Sequence, residues 1–182
     1  MNKFKLSIAT KEMSAATRLS WAATISEIEE KIEPSRYWMV LGTLDGHGTS
    51  ATDGTATAYC LVPDGSDAAE AVLEIALIRH GKGAPRAKAL NIYLHPRFDL
   101  AARESIDLAF LTEYSDIIGG SLTEAIRQTL YGDDPVNELK LYARSDQMYG
   151  YFQVIALNLT KNGGVDGLNV HCHGRWLVFA RK

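Results

Sequence analysis

Little in this chain could cross-link it, anchor it in a bilayer or divide it. Two cysteines in 182 residues are too few for a disulfide framework. Cys60 and Cys172 both sit inside apolar runs and read as small core residues of a reducing compartment. No apolar run approaches the length of a membrane span. The early Leu6-Ser7-Ile8-Ala9 run, interrupted by Lys11-Glu12, is too short for a signal peptide. A cytoplasmic location without a membrane partner is therefore expected. Repeats, low-complexity tracts and linkers are missing too, so a single domain over residues 1–182 is expected, long enough to bury a core unaided. Positive charge is absent from a long interval: no Lys or Arg occurs between Tyr37 and Ile78, which holds Asp45, Asp53, Asp64, Asp67, Glu70 and Glu74. The net charge of −3 and pI near 5.9 exclude a protein that coats nucleic acid over its whole surface.

What is present is an ordinary globular pattern, 46% hydrophobic and 23% charged. Phe4 to Ile8 alternates like a half-buried strand. Trp21, Ile25, Ile28 and Ile32 form a helical stripe that Pro34 ends. Arg36 to Leu44, rich in Tyr, Trp, Val and Leu, reads as a strand, and Gly42 to Thr57 as a long polar loop. Thr57 to Val62, Val72 to Arg79 and Ala89 to His95 read as a meander of antiparallel strands. Asp99 is a candidate N-cap for a helix from Leu100 to Ile118 that Gly119-Gly120 stops. Ser121 with Glu124 forms a capping box for a second helix through Leu130. Leu139 to Ala143 alternates as a strand. Ser145 caps a helix with a Met148, Phe152, Ile155, Leu159 stripe, ended by Gly163-Gly164. Leu168 to Arg181 is a closing strand pair or one long strand, bent at Gly174. The expectation is an α+β fold with a mostly antiparallel sheet and helices packed on it.

Against this background one segment is built to meet a partner. Arg79 to Lys88 sets Arg79, His80, Lys82, Arg86 and Lys88 among two glycines and a proline, between apolar runs. Residues 79–103 hold six Lys/Arg against one acid, Asp99. Cations on a glycine-loosened hairpin suit phosphate or an acidic surface. Arg97, and Arg175 with Trp176 on the closing strand, extend the candidate contact set, the ring offering a stacking surface. No catalytic set is complete. His47 in Gly46-His47-Gly48-Thr49-Ser50 has no visible partner, and the loop lacks the Lys of a nucleoside triphosphate cradle. His171 and His173 point the same way on a strand, yet no carboxylate stands near them in sequence, so neither a metal nor a cofactor is expected. On these grounds the expected function is non-enzymatic: a binding or accessory protein whose basic hairpin contacts nucleic acid or an acidic protein.

Two resemblances qualify that expectation. Ala76-Leu77-Ile78-Arg79-His80-Gly81 resembles the strand-then-Arg-His-Gly opening of the histidine phosphatases, and Asn169 to Gly174 their second, strand-borne His. That resemblance implies His80 as the phosphorylated nucleophile. Where the family carries a further Arg, this chain offers Ser121-Leu122-Thr123-Glu124, whose acid would repel phosphate. The order of elements, in turn, resembles the GNAT acyltransferases. Lys5 to Thr10 is similar to that family's first strand, and Leu90 to Pro96 to its fourth. That resemblance implies acyl transfer, an acyl-CoA pyrophosphate held by a Gly-rich loop after the fourth strand, and a Tyr general acid at Tyr149 or Tyr151. Arg97 to Ala102 contains no Gly, so the implied alternative is a divergent acyltransferase without the standard loop.

Overall fold

A computed structural model describes residues 3–45, 53–81, 83–161 and 165–182. The strands are β1 (Phe4–Ile8), β2 (Ala56–Pro63), β3 (Ala71–Ile78), β4 (Arg86–Leu94), β5 (Glu138–Tyr142), β6 (Leu168–His173) and β7 (Trp176–Arg181). The helices are α1 (Lys11–Ile28), α2 (Pro34–Asp45), α3 (Leu108–Leu130) and α4 (Asp146–Lys161). The strands hydrogen-bond in the order β1-β2-β3-β4-β5-β7-β6. Antiparallel pairing joins β1 to β2 and β7 to both β5 and β6, while β4 and β5 run parallel. The α+β expectation with a mostly antiparallel sheet holds; the parallel pair is not legible as such in the sequence. No helix among the described residues is long and apolar enough to cross a membrane. The chain gathers into two compact units, one from residues 1–50, 57–74 and 92–125, the other from 51–56, 75–91 and 126–182.

In the first unit α1 begins where the Thr10 hydroxyl accepts from the Met13 N–H at 3.2 Å, an N-cap that satisfies one orphan donor. Its buried face carries Thr17, Trp21 and Ile25. That face grips Ala69 twice: the Trp21 indole donates to its carbonyl at 2.8 Å, and its N–H donates to Thr17 Oγ1 at 2.9 Å. Residues 36–44 form helix, not strand. Pro34 presets the first turn, and Tyr37, Val40, Leu41 and Leu44 recur at helical spacing. Those four join Trp21, Ile25, Ala58 and Cys60 in one buried cluster. Tertiary burial of the stripe overrides the β preference of its aromatic and branched residues.

The predicted stop at Gly119-Gly120 is also corrected. α3 runs through both glycines, and Ser121 lies buried mid-helix rather than capping. The helix starts later than expected, where the Asp107 carboxylate accepts from the Phe110 N–H at 2.7 Å. Ahead of it, Pro96–Phe98 and Leu100–Ala102 are 3₁₀ turns.

In the second unit the registers align Ala87, Leu139, Phe179 and Val170 in one buried row across four strands. α4 packs on β6 and β7 through Phe152 and Ala156. The Ser145 hydroxyl accepts from the Met148 N–H at 3.1 Å, the cap expected from the sequence. Gly174 turns β6 into β7 with φ of 54°, a left-handed conformation that costs glycine least. The predicted stop at Gly163-Gly164 lies outside the described residues, as do 46–52 of the 42–57 loop; of its described part, 42–45 end α2 and 56–57 open β2.

Candidate functional site

The basic segment is shorter than its sequence suggests, because β4 already begins at Arg86. Arg86 and Lys88 are thus strand residues, and Lys82 lies outside the described residues. Around the turn, the chain's own groups occupy the donors that an anion would need. Asp53 accepts from the Arg79 N–H at 2.6 Å and the His80 N–H at 3.3 Å. Those bonds, first that from Arg79, hold its carboxyl below the usual range. The Arg79 guanidinium pairs with Asp134 at 2.8 Å. Arg86 is engaged within the chain, and the Lys88 ammonium stands 5.5 Å from the Trp176 ring centre. Trp176 itself packs against Tyr142 at 4.9 Å.

Further along, Arg97 pairs with Glu70 at 2.9 Å and Glu113 at 2.7 Å. Arg175 donates to the Ala143 carbonyl at 2.9 Å and to Asp146 at 2.8 Å. Of the expected contact residues, Arg79, Arg97 and Arg175 are thus paired with acids of the chain. Among the described residues no group of three or more His, Cys, Asp or Glu is placed to hold a metal ion. Burial pushes the Cys60 thiol up to about 12, so it is no nucleophile at neutral pH.

A different locus has the makings of a site. In the first unit, a cavity of about 430 Å³ is lined by Arg36 and Tyr37 of α2, Tyr93 of β4, Phe98 and Asp99 after it, and Tyr114 of α3, with aliphatic neighbours. Helical folding of 36–44 is what sends Tyr37 inward and leaves Arg36 beside it, half exposed. Arg36 Nη2 donates to Tyr37 Oη at 2.6 Å and to Asp99 Oδ2 at 2.8 Å. The Tyr37 hydroxyl in turn donates to Asp99 Oδ2 at 2.9 Å, and the Ala101 N–H donates to Asp99 Oδ1 at 3.0 Å. Burial, with the Asp99 bond adding to it, pushes the Tyr37 phenol up to about 12. Burial opposes the Arg36 charge, yet Tyr37 and Asp99 hold its pKa above the ordinary value. The result is a fixed guanidinium at the edge of an aromatic-walled cavity.

Beside it, His95 is buried between α1 and the first 3₁₀ turn. Its Nδ1 accepts from the Arg97 N–H at 3.2 Å, which places the ring proton on Nε2, 3.1 Å from Ser20 Oγ. Burial, then the Arg97 charge, lowers its pKa to about 4. A neutral imidazole donating from Nε2 cannot take the Ser20 proton, so this pair is not a nucleophile and base.

The segment after β4 is the implied place for a pyrophosphate loop. Here the N–H groups of Arg97, Phe98, Asp99, Ala101, Ala102 and Arg103 all donate to acceptors between His95 and Leu100. A carboxylate occupies the middle of this segment. Backbone donors spent in this way cannot cradle phosphate.

No protein-family model matches the chain, and no curated protein matches it. Solved structures do. An acetyltransferase from Thermus thermophilus is 13% identical, with 98% of this chain and 96% of that chain covered and a TM-score of 0.44. A structure described as a GNAT-family acetyltransferase from Desulfovibrio desulfuricans gives 10%, 98% and 96%, with a TM-score of 0.38. The NatC complex bound to Gag peptide and CoA gives 11%, 97% and 95%, with a TM-score of 0.33. Those figures speak to the fold alone. The non-enzymatic reading is nonetheless corrected. Two of the matched structures are described as acetyltransferases, and the Arg79 guanidinium and the Arg79 and His80 N–H groups of the hairpin pair within the chain.

Arg36, Tyr37 and Tyr114 escaped the sequence reading. The signal available was Arg36 beside Tyr37-Trp38, two residues after Pro34, a cation next to an aromatic pair.

Proposed function

We propose that the chain is a divergent acyltransferase of GNAT-like element order that grips its acyl donor without a pyrophosphate loop. One observation carries the reading. The parallel ladder of β4 and β5 stops at Ala89 opposite Leu141, while β4 continues to Leu94. The cavity of the first unit opens on that onward stretch, beside Tyr93 and Leu94. A strand that outruns its partner and ends at a small-molecule-sized cavity is a natural seat for a ligand; sites of about 300–1,000 Å³ are typical. Tyr149, half-buried on the first turns of α4, is one of the two phenols that the resemblance offers as general acid, Tyr151 being the other.

The occupied backbone after β4 gives this reading a specific consequence. A donor's nucleotide end gains nothing from that segment, so recognition falls on its acyl-thioester arm. Calorimetry with acetyl-CoA and with acetyl-pantetheine tests this directly. The two are expected to bind within about threefold of one another, since no charge-assisted phosphate bonds distinguish them. If neither binds, the acyltransferase reading is lost. If only acetyl-CoA binds, the phosphates are being held after all, and the divergent form is wrong.

A further inference from the structure

The cavity beside Arg36 carries more than a place for a ligand: it carries the ligand's charge. Of the guanidinium nitrogens, only Nη2 is used, shared between Tyr37 and Asp99. Among the described residues, Nε and Nη1 of Arg36 have no hydrogen-bond partner, and half of the side chain is exposed. Asp99 is turned inward, with its side chain 8% exposed, and meets three donors. It therefore aims the guanidinium rather than offering itself to an amine. The Tyr37 hydroxyl, which accepts from Arg36 and donates to Asp99, is spent as well. What the cavity presents is a fixed guanidinium with free N–H groups on Nη1 and Nε, above aromatic walls. Phe98 and Tyr114 meet edge to face at 6.2 Å, and Leu94 and Leu100 complete the lining.

We propose that this cavity binds a small monocarboxylate with an aromatic or aliphatic body, its carboxylate held by a free N–H of Arg36. The body lies against Tyr93, Phe98 and Tyr114. A free N–H of a fixed guanidinium gives a carboxylate a charge-assisted bond. A phosphate dianion would call for further cations, and the adjacent Arg97 is already neutralised by Glu70 and Glu113. Asp99, standing behind Arg36, would weigh against the second negative charge. On the acyltransferase reading, and only there, this ligand is the carboxylate-bearing end of an acyl acceptor. The acceptor's own amine or hydroxyl bonds to the acyl carbon, its proton leaving with the released thiol. The site itself rests on the cavity and its guanidinium.

The test is ligand-observed NMR and calorimetry on the full chain with four probes: phenylacetate, octanoate, phenylacetamide and octanamide. Both acids are expected to bind, and the matching amides about tenfold more weakly or worse, because the charged partner of Arg36 is gone. Arg36→Gln lowers acid binding to the amide level, and Arg36→Lys, which keeps the charge but not its fixed placement, falls between. Should Arg36→Gln fold poorly, Leu100→Trp at the exposed rim is the second variant, expected to block all four probes with Arg36 intact. Equal binding of acids and amides, an unaffected Arg36→Gln protein, or no binding of any probe overturns the proposal. Acids that bind through Arg36 while neither acyl donor binds would keep this site and remove the acyltransferase reading. Donors that bind while no acid does would have the opposite effect.

Discussion

The Asp53 carboxylate lies 2.6 Å from the backbone nitrogen of Arg79 and accepts its N–H. The turn that looks most like an anion grip thus already holds an anion, supplied by the chain itself. Because that bond depresses the Asp53 pKa, the group favours the folded turn above its unfolded value. The support is lost as pH falls through the lower folded value. In a proton NMR titration, the Arg79 and His80 amide shifts are expected to move together, with a midpoint below the ordinary Asp value of about 3.9. Asp53→Ala should abolish that transition. Amide shifts that follow the ordinary value, or survive the substitution, would show that the carboxylate does not hold this turn.

His95 makes an independent prediction with the same sign for a different reason. Its folded pKa, about 4, lies below the unfolded value of about 6.5 because burial penalises the charged ring. Between those values the unfolded chain binds the proton and the folded chain does not. Stability attributable to His95 is therefore complete above about pH 6.5 and falls as pH drops towards 4. The full difference amounts to about 3 kcal/mol at 1.36 kcal/mol per unit. Urea unfolding at pH 7 and pH 5 should show a loss that His95→Gln largely removes. A mutant with an unchanged pH slope would place the responsible proton elsewhere.

Tyr37 can be tested at the level of one atom. Its hydroxyl donates to Asp99 and accepts from Arg36, and the ring is buried in the first unit's core. Tyr37→Phe keeps the packing and removes the bridge, leaving the inward Asp99 oxygen one donor short. A loss of about 1.5–3 kcal/mol is expected in chemical denaturation, the worth of a hydrogen bond to a charged group, since Oδ2 keeps its bond from Arg36. Acid probes should also bind the mutant more weakly, since the Arg36 guanidinium loses one of its two fixed points. A mutant as stable as the native chain would mean that water replaces the phenol.

What the sequence makes legible is periodic and local. The Ser145 cap, the alternation of β5 and the Gly174 turn depend on neighbours a few residues away, and all appear where expected. α2 reads as a strand in sequence because Tyr, Trp and Val favour sheets locally, while the burial that decides the matter comes from α1 and β2. The candidate site is hidden for the same physical reason. Arg36 and Asp99 are 63 residues apart, and only the turn of β4 into a 3₁₀ segment brings them together. Asp99 is legible as a cap, and a cap it is, for Ala101 rather than for a long helix. In the charge run at 79–88, sequence shows Arg79 and His80 but not Asp53 and Asp134, which fold back on them.

The paired glycines of α3 show which part of a helix signal tertiary packing can silence. A Cβ at Gly119 would meet nothing within 4 Å, whereas one at Gly120 would sit 2.6 Å from Cδ2 of Phe4 on β1. Glycine in a helix interior costs roughly 0.5–1 kcal/mol relative to alanine. Gly119→Ala is therefore expected to stabilise the protein by up to about that amount. Gly120→Ala gains the same helix propensity but must displace an aromatic ring, and overpacking of this kind costs about 1–3 kcal/mol. Thermal melts should move in opposite directions for the two variants. Adding Phe4→Leu to Gly120→Ala should recover part of the loss beyond additivity, because the clash is between those two side chains. Equal stabilisation by both alanines would mean that Phe4 swings aside without cost, and that Gly120 is not there to admit the ring.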